Sequence, residues 1–512
     1  MVCAIDHLAA QAGVEMLRAG GTAADAAVAT SAVLAVTSPH LCGMGGDLLA
    51  VVAPVGEAPI ALNASGRAGS GADPERLRAE GFETMPFRGD IRSVPVPGCV
   101  DGWIALHERF GSLELARVLE PARAYAERGF PMSPTLALSV HGVASLPEAA
   151  DLTVYEHPRA GMMLRRPGVA RALGEIARGG RDAFYLGEFG EGLLTLGDGE
   201  YEARDLETIN ADWMPALRAT AWGHDLWTMP PNSQGYLTLA SAFIAAGFDL
   251  PEDPADPQWA HLLIESMRQA AKDRVEVLFD GADGNALLDS SMLAARRAQI
   301  DPTRAATLGG SFHNGDTIAL CTADSYGNGV SLIQSNASGF GSLLIVPGVR
   351  IFLQNRGIGF SLEPGHPAEY GPQRRPPHTL SPLAITGADG ALRGVAGTMG
   401  GDAQPQILLQ LLARWLVAGE TPGNAVAAGR WALSGGRNGF DTWGPRGGGL
   451  TVEIEGHAPE QWADGLRTRG HQTHLTEPFS HSFGHAHLIS VEPDHLAGGT
   501  DPRPRFGAAA GW

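Results

Sequence analysis

Cysteine is scarce and scattered: Cys3, Cys42, Cys99 and Cys321 are the only four in 512 residues, and none forms a C-x-x-C pair. A disulfide framework is not expected in so long a chain. The thiols read instead as buried apolar groups, Cys321 above all, because it falls inside a hydrophobic run. Basic residues are outnumbered, 37 against 56 acidic ones, for a net charge of −19. That balance argues against a surface that displaces counterions from nucleic acid, and against an anionic membrane as partner. No apolar run reaches about 18 residues, so no transmembrane helix is expected. Residues 1–20 hold Asp6, His7, Glu15 and Arg18 in place of an unbroken hydrophobic signal region, and the expected location is cytoplasmic. H-E-x-x-H, the phosphate-binding P-loop and the G-x-S-x-G elbow are all missing. The Gly-rich loop from Ser38 to Asp47 comes before a strand, the reverse of a dinucleotide fingerprint, and His40 within it reads as a structural loop residue.

What is present suits a globular chain with many turns: 44% hydrophobic residues, 68 glycines and 35 prolines, without repeats. Such a length fits two or three ordinary domains or one large layered one. Ile5, Leu8, Ala12 and Met16 share a helical face, Gly20-Gly21 closes that helix, and Thr22 opens another through Ala35. Leu48 to Val52 reads as a strand, and Tyr236 to Ala246 as a helix after Pro-Pro-Asn-Ser-Gln-Gly. A long helix is expected from His261 to Phe279, with Glu265, Lys272, Asp273 and Arg274 on a solvated, ion-paired face. Residues 282–314 turn polar and Gly-rich, which suits a mobile tail.

Chemistry concentrates after that tail. Gly309 to Asp316 runs into Thr317, then a strand from Ile318 to Ala323, a turn from Asp324 to Gly329, and a returning strand from Val330 to Gln334. With Ala323 facing Val330, Thr317 falls opposite Asn336, beside Ser335. A hydroxyl is a poor nucleophile without a base. A threonine at a chain terminus carries one, because a free α-amine titrates at about pH 7.7 to 8. That use of Thr317 requires the Asp316–Thr317 bond to break. The local pattern also fits an ordinary strand start, and taken alone it favours that plainer reading.

The wider pattern resembles the γ-glutamyltransferase family. The blocks that carry it are GDT, SLIQSN, GFGS, RIFLQNRGIGFS, RRPPHTLSP and GTMGGDAQPQ. VCAIDHLAAQAGVEMLRAGGTAADAAVAT at the start and FGHAHLISVEPDHLAGGTDPRPRFGAAAG at the end extend it over nearly the whole chain. The family consists of N-terminal-nucleophile hydrolases made as one precursor that cuts itself in two. The resemblance implies an α/β (α+β) fold, a four-layer αββα sandwich with two antiparallel sheets between helical layers. It further implies cleavage at Asp316–Thr317, giving a large portion 1–316 and a small portion 317–512 that stay together as a heterodimer in one interwoven domain. Thr317 becomes nucleophile and new terminus, Ser335 the supporting hydroxyl, and Gly400 and Gly401 the oxyanion hole. No metal and no cofactor are called for.

Substrate recognition departs from the γ-glutamyl enzymes. Their aspartate before Phe-Ser is Gly359 here, their large-portion arginine falls near Ser65 with Arg67 two residues on, and their serine pair is His378-Thr379. In this the chain is similar to the acylase-like and amidohydrolase-like branches, which act on glutaryl or other small acidic acyl amides, oxamate-type amides included. Asn336, Arg356, His378, Thr379 and Arg67, with Arg375, are the candidate substrate-binding residues, and a small-molecule amide is the expected partner. The rivals are an uncleaved, inactive scaffold and a hydrolase built on Ser, His and Asp.

Overall fold

The computed structural model describes residues 1–306, 317–434 and 450–512. Its frame is two antiparallel sheets stacked face to face. One has seven strands, in the order Ala508–Ala510, Val2–Ala4, Ile318–Ala323, Gly329–Ser335, Asp47–Ala53, Ile60–Ala64 and Asp212–Pro215. The other has six, in the order Leu496–Thr500, Ala486–Val491, Leu392–Thr398, Leu383–Thr386, His224–Thr228 and Leu217–Ala221.

Period-two alternation explains why these strands are buried on both faces. Along Ile318–Ala323, Ile318 and Leu320 point to a helical layer, while Ala319, Cys321 and Ala323 point to the other sheet. Small side chains let the sheets approach closely: a Cβ placed on Gly397 would lie 3.3 Å from Ala319 Cβ. Helix Ala23–Thr37, all buried, covers the outer face of the first sheet. Thr322 Oγ1 donates to the Ala23 carbonyl at 2.7 Å and ties the two layers. Helices Tyr236–Ala245 and Gln404–Leu416 cover the second sheet, and Pro257–Ala271 packs against both of them. The result is the expected αββα sandwich. All four cysteines are free and buried. No helix among the described residues is long and apolar enough to cross a membrane.

Several local expectations are corrected. The first helix runs His7–Arg18 from an Asp6 cap, so Ile5 lies ahead of it, after a strand Val2–Ala4. The helix expected to reach Phe279 ends at Ala271, with a short turn Arg274–Val277 after it. Its charged face is solvated only in part, since Lys272 is exposed but Glu265 and Arg274 are buried. Within the expected tail, Ser290–Arg297 is helical, and residues 307–316 lie outside the described residues.

Candidate active site

Thr317 and Ser335 come together where the central hairpin ends. Ala323 pairs with Gly329 and Ile318 with Gln334, so the next pair is Thr317 and Ser335. The register differs by one from the sequence expectation because the turn is one residue shorter. Asp324 Oδ1 accepts the backbone N–H groups of Tyr326 and Asn328, both at 2.9 Å, closing the turn at Asn328 and leaving Gly329 to the strand. A one-residue offset changes which side chain stands across from Thr317. Thr317 Oγ1 lies 3.1 Å from Ser335 Oγ, which accepts the Ala337 N–H at 2.8 Å. Asn336 is one position further on, its side-chain N–H donating to the Pro39 carbonyl at 3.2 Å.

The row continues across the sheet. Ser335 pairs with Asp47 on the neighbouring strand, and Asp47 is fully buried. Its Oδ2 accepts Arg356 Nε at 2.8 Å and His378 Nε2–H at 3.0 Å. Burial alone would raise this carboxyl; the Arg356 charge and the His378 contact outweigh it and hold it below the ordinary carboxylate range. His378 is pushed down to about 4, first by burial and then by Arg356, so it is neutral at pH 7. Its Nδ1 accepts the Leu380 N–H at 3.3 Å. With Nε2 spent on Asp47, neither ring nitrogen is left to serve as base for a serine. His378 therefore completes no Ser-His-Asp triad.

From Arg356 the contacts return to the glycine pair. Arg356 Nη1 donates to Thr379 Oγ1 at 3.1 Å. Gln234 Nε2 donates to the Thr379 carbonyl at 2.9 Å and the Gly401 carbonyl at 3.0 Å. Gly400 and Gly401 have φ of 136° and 54°, a left-handed backbone that glycine adopts without a Cβ penalty. They precede helix Gln404–Leu416, whose N-terminus favours negative charge nearby. Gly400 also lines a cleft of about 310 Å³ with Leu41, Met399, His40, His481 and His485. Burial pushes His40 and His485 down to about 3, so the imidazoles facing the cleft from these two positions are uncharged.

Arg67 is not brought to this row. It and Arg375 both donate to Asp212 Oδ2 at 2.6 Å, forming a separate cluster at the sheet edge. Asp316 lies outside the described residues. Asp47 and Gln234 were not singled out in the sequence. Asp47 ends a Gly-rich loop, and its pairing with Ser335 is a contact across most of the chain that no local pattern announces.

His378 also makes stability depend on pH. The unfolded imidazole titrates near 6.5 and the folded one at about 4, so between those values the unfolded state binds the extra proton. Stability therefore falls as pH drops through this window. At pH 5 the loss from this residue is about 2 kcal/mol. Urea midpoints at pH 7 and pH 5 are expected to differ less for His378→Gln than for the wild type.

Two stacked antiparallel sheets between helical layers, with a threonine at the end of a central strand, make this the fold of the N-terminal-nucleophile hydrolases. The sequence profile described as Gamma-glutamyltranspeptidase matches residues 9–512, and the chain belongs to that family. It is similar to an oxamate amidohydrolase proenzyme of Klebsiella pneumoniae subsp. pneumoniae, 35% identical over 100% of this chain and 98% of that one. A glutathione hydrolase-like proenzyme of Bacillus subtilis is 34% identical over the same shares. A crystal structure of cephalosporin acylase from Bacillus halodurans superimposes with a TM-score of 0.89 at 33% identity, covering 100% of this chain and 95% of that one. The chain is thus an enzyme of this family, and its acylase and amidohydrolase branch fits.

Proposed function

We propose that the protein cuts itself at Asp316–Thr317 and then hydrolyses amides of small acidic acyl groups with Thr317 as nucleophile. The observation that supports this is the series of contacts from Thr317 to Ser335, across the paired strands to Asp47, and on through Arg356, Thr379 and Gln234 to the Gly401 carbonyl. In the uncut chain the Thr317 nitrogen is an amide and has no basic lone pair. Cleavage gives portions 1–316 and 317–512 and frees that nitrogen as an amine. It then takes the hydroxyl proton as Oγ1 adds to the substrate carbonyl, and returns it to the departing amine. Gly400 and Gly401 N–H groups meet the oxyanion. Water releases the acid from the acyl-enzyme and regenerates the hydroxyl.

Ser335 orients Oγ1. Arg356 is the cation offered to the acyl carboxylate, because its planar fork matches that group and it already stands in the row. Asp47 and His378 hold Arg356 in place, Thr379 receives its second N–H, and Asn336 flanks the acyl group. Arg67 pairs with Asp212 and takes no part in this reading. The name of one relative, oxamate amidohydrolase, agrees with a short acidic acyl side. Gly359 supplies no carboxylate for an α-amino group, so turnover of glutathione is expected to be weak.

Terminal sequencing of active protein tests the proposal. A new terminus beginning Thr-Ile-Ala-Leu, with oxamate-type or glutaryl amides turned over faster than glutathione, is the expected result. Activity in material that remains one chain would remove Thr317 as an N-terminal nucleophile.

A further inference from the structure

The cleft beside Gly400 is larger than the proposed chemistry needs. It holds about 310 Å³, against about 30 Å³ for one water molecule in the liquid. Ammonia, the amine of an unsubstituted amide, is no bigger than water and would leave most of that space unused. The volume falls in the range of small-molecule sites.

Its walls are tied to the row of reacting groups. The Leu41 carbonyl accepts the Asn336 N–H at 3.0 Å, one residue beyond Ser335, and the His40 carbonyl accepts the Phe340 N–H at 3.0 Å. A second wall carries His481 and His485. The His485 carbonyl accepts the Met399 N–H at 3.1 Å, one residue ahead of Gly400. Arg430 Nη1 donates to the Phe483 carbonyl at 2.8 Å and fixes that segment from behind. Helix Pro134–Ser139 supplies the third wall, with Thr135, Leu138 and Ser139.

The position of the Gly-Gly turn gives the cleft a direction. A small pocket at Arg356 is lined by Gly359, His378 and Thr379, and none of its described lining residues also lines the cleft. Gly400 faces the cleft, while the Gly401 carbonyl is held by Gln234 together with that of Thr379. An amide whose oxygen meets Gly400 and Gly401, with its acyl carboxylate at Arg356, therefore turns its nitrogen substituent towards the cleft.

The lining sets the kind of amine that fits. Leu41, Leu138 and Met399 are apolar, and none of the described lining residues is Asp, Glu, Lys or Arg. Leu138 is 80% exposed, although its helix buries Leu136 and Ala137. His40 and His485 are each 2% exposed. Thr135 Oγ1 lies 3.1 Å from His40 Nε2, and His481 Nδ1 lies 2.8 Å from His485 Nε2. The other nitrogen of each ring, Nδ1, has no hydrogen-bond partner among the described residues. Buried polar atoms are seldom left so, and two on one cleft point to a ligand with a polar group of its own. A carboxylate on the amine would meet no arginine or lysine here, and an unpaired charge is costly to desolvate.

We propose that this cleft receives the amine portion of the amide and takes an uncharged, carbon-rich amine with a hydrogen-bonding group, in preference to ammonia or an anionic amine. This rests on the Thr317 reading given above and names the other half of its substrate.

The test holds the acyl group constant, oxalyl or glutaryl, whichever is turned over faster, and varies the amine among ammonia, 4-carbamoylbenzylamine and 4-carboxybenzylamine. The last two match in size and differ in charge. kcat/KM for the carbamoylbenzyl amide is expected to exceed both others by about tenfold, the scale of discrimination in an apolar pocket. Leu138→Arg, at an exposed position, is expected to lower the carbamoyl-to-carboxy ratio by about threefold, the worth of an exposed ion pair. Each ratio is taken within one preparation, so a loss of folded protein cancels. Equal rates, a preference for either of the other amines, or an unmoved ratio in Leu138→Arg overturns this inference alone. Turnover by an uncut chain, or turnover of no amide at all, overturns the reading of Thr317 and this inference with it.

Discussion

Thr317→Ala is expected to leave a single 53.5 kDa chain and to lower amide hydrolysis by about 10⁴-fold or more. One substitution removes two things at once: the atom that would cut the chain, and the atom that would attack substrate. Thr317→Ser keeps the hydroxyl within reach of Ser335 and is expected to restore both, more slowly, because the lost methyl group no longer restricts χ1. Intact mass and a direct amidase assay read the two effects separately. Full activity in Thr317→Ala would transfer the chemistry to another group.

Gly400→Ala is expected to cut turnover by about 10²- to 10³-fold, the usual cost of one oxyanion donor. Gly400 has φ of 136°, which a residue with a Cβ rarely adopts, and the added atom would lie 3.0 Å from Ile407 Cδ1. The peptide plane must rotate to relieve this, and the N–H groups turn with it. Self-cleavage passes through a similar tetrahedral centre, so it is expected to slow as well. KM is expected to move less than kcat, because the ground-state carbonyl gains little from these donors. Equal losses in KM and kcat would assign the glycines to substrate binding.

Much of this architecture was legible in the residues. The hydrophobic run Ile318–Ala323, the turn after it and the returning run Val330–Gln334 announced a hairpin, and Thr22 announced the start of helix Ala23–Thr37. Its side chain accepts from Asp25 N in a reciprocal capping box. Register was less accessible. It turned on whether Gly329 belonged to the turn or to the strand, and the carboxylate of Asp324 settled that by collecting two backbone N–H groups. The polarity of helix Pro257–Ala271 misled for a different reason. Charged residues at helical spacing usually mark a wet face, and only the tertiary fold shows that Glu265 and Arg268 turn inward, where they bond the N–H and the carbonyl of Ala306. Asp47 escaped notice because its significance comes from Ser335, and sheet pairing at such sequence separation leaves no trace in a local window.

The central strand Ile318–Ala323 is laced on one side to Val2–Ala4 and on the other to Gly329–Ser335, which in turn borders Asp47–Ala53. A break just ahead of Thr317 would thus yield fragments that share one sheet, with Val2–Ala4 of the large portion inserted between Ala508–Ala510 and Ile318–Ala323 of the small one. Neither piece alone has the neighbours to close its sheet. Reassembly from separately purified halves would therefore be a folding reaction and not a docking event, because separating them breaks strand pairs that both portions share.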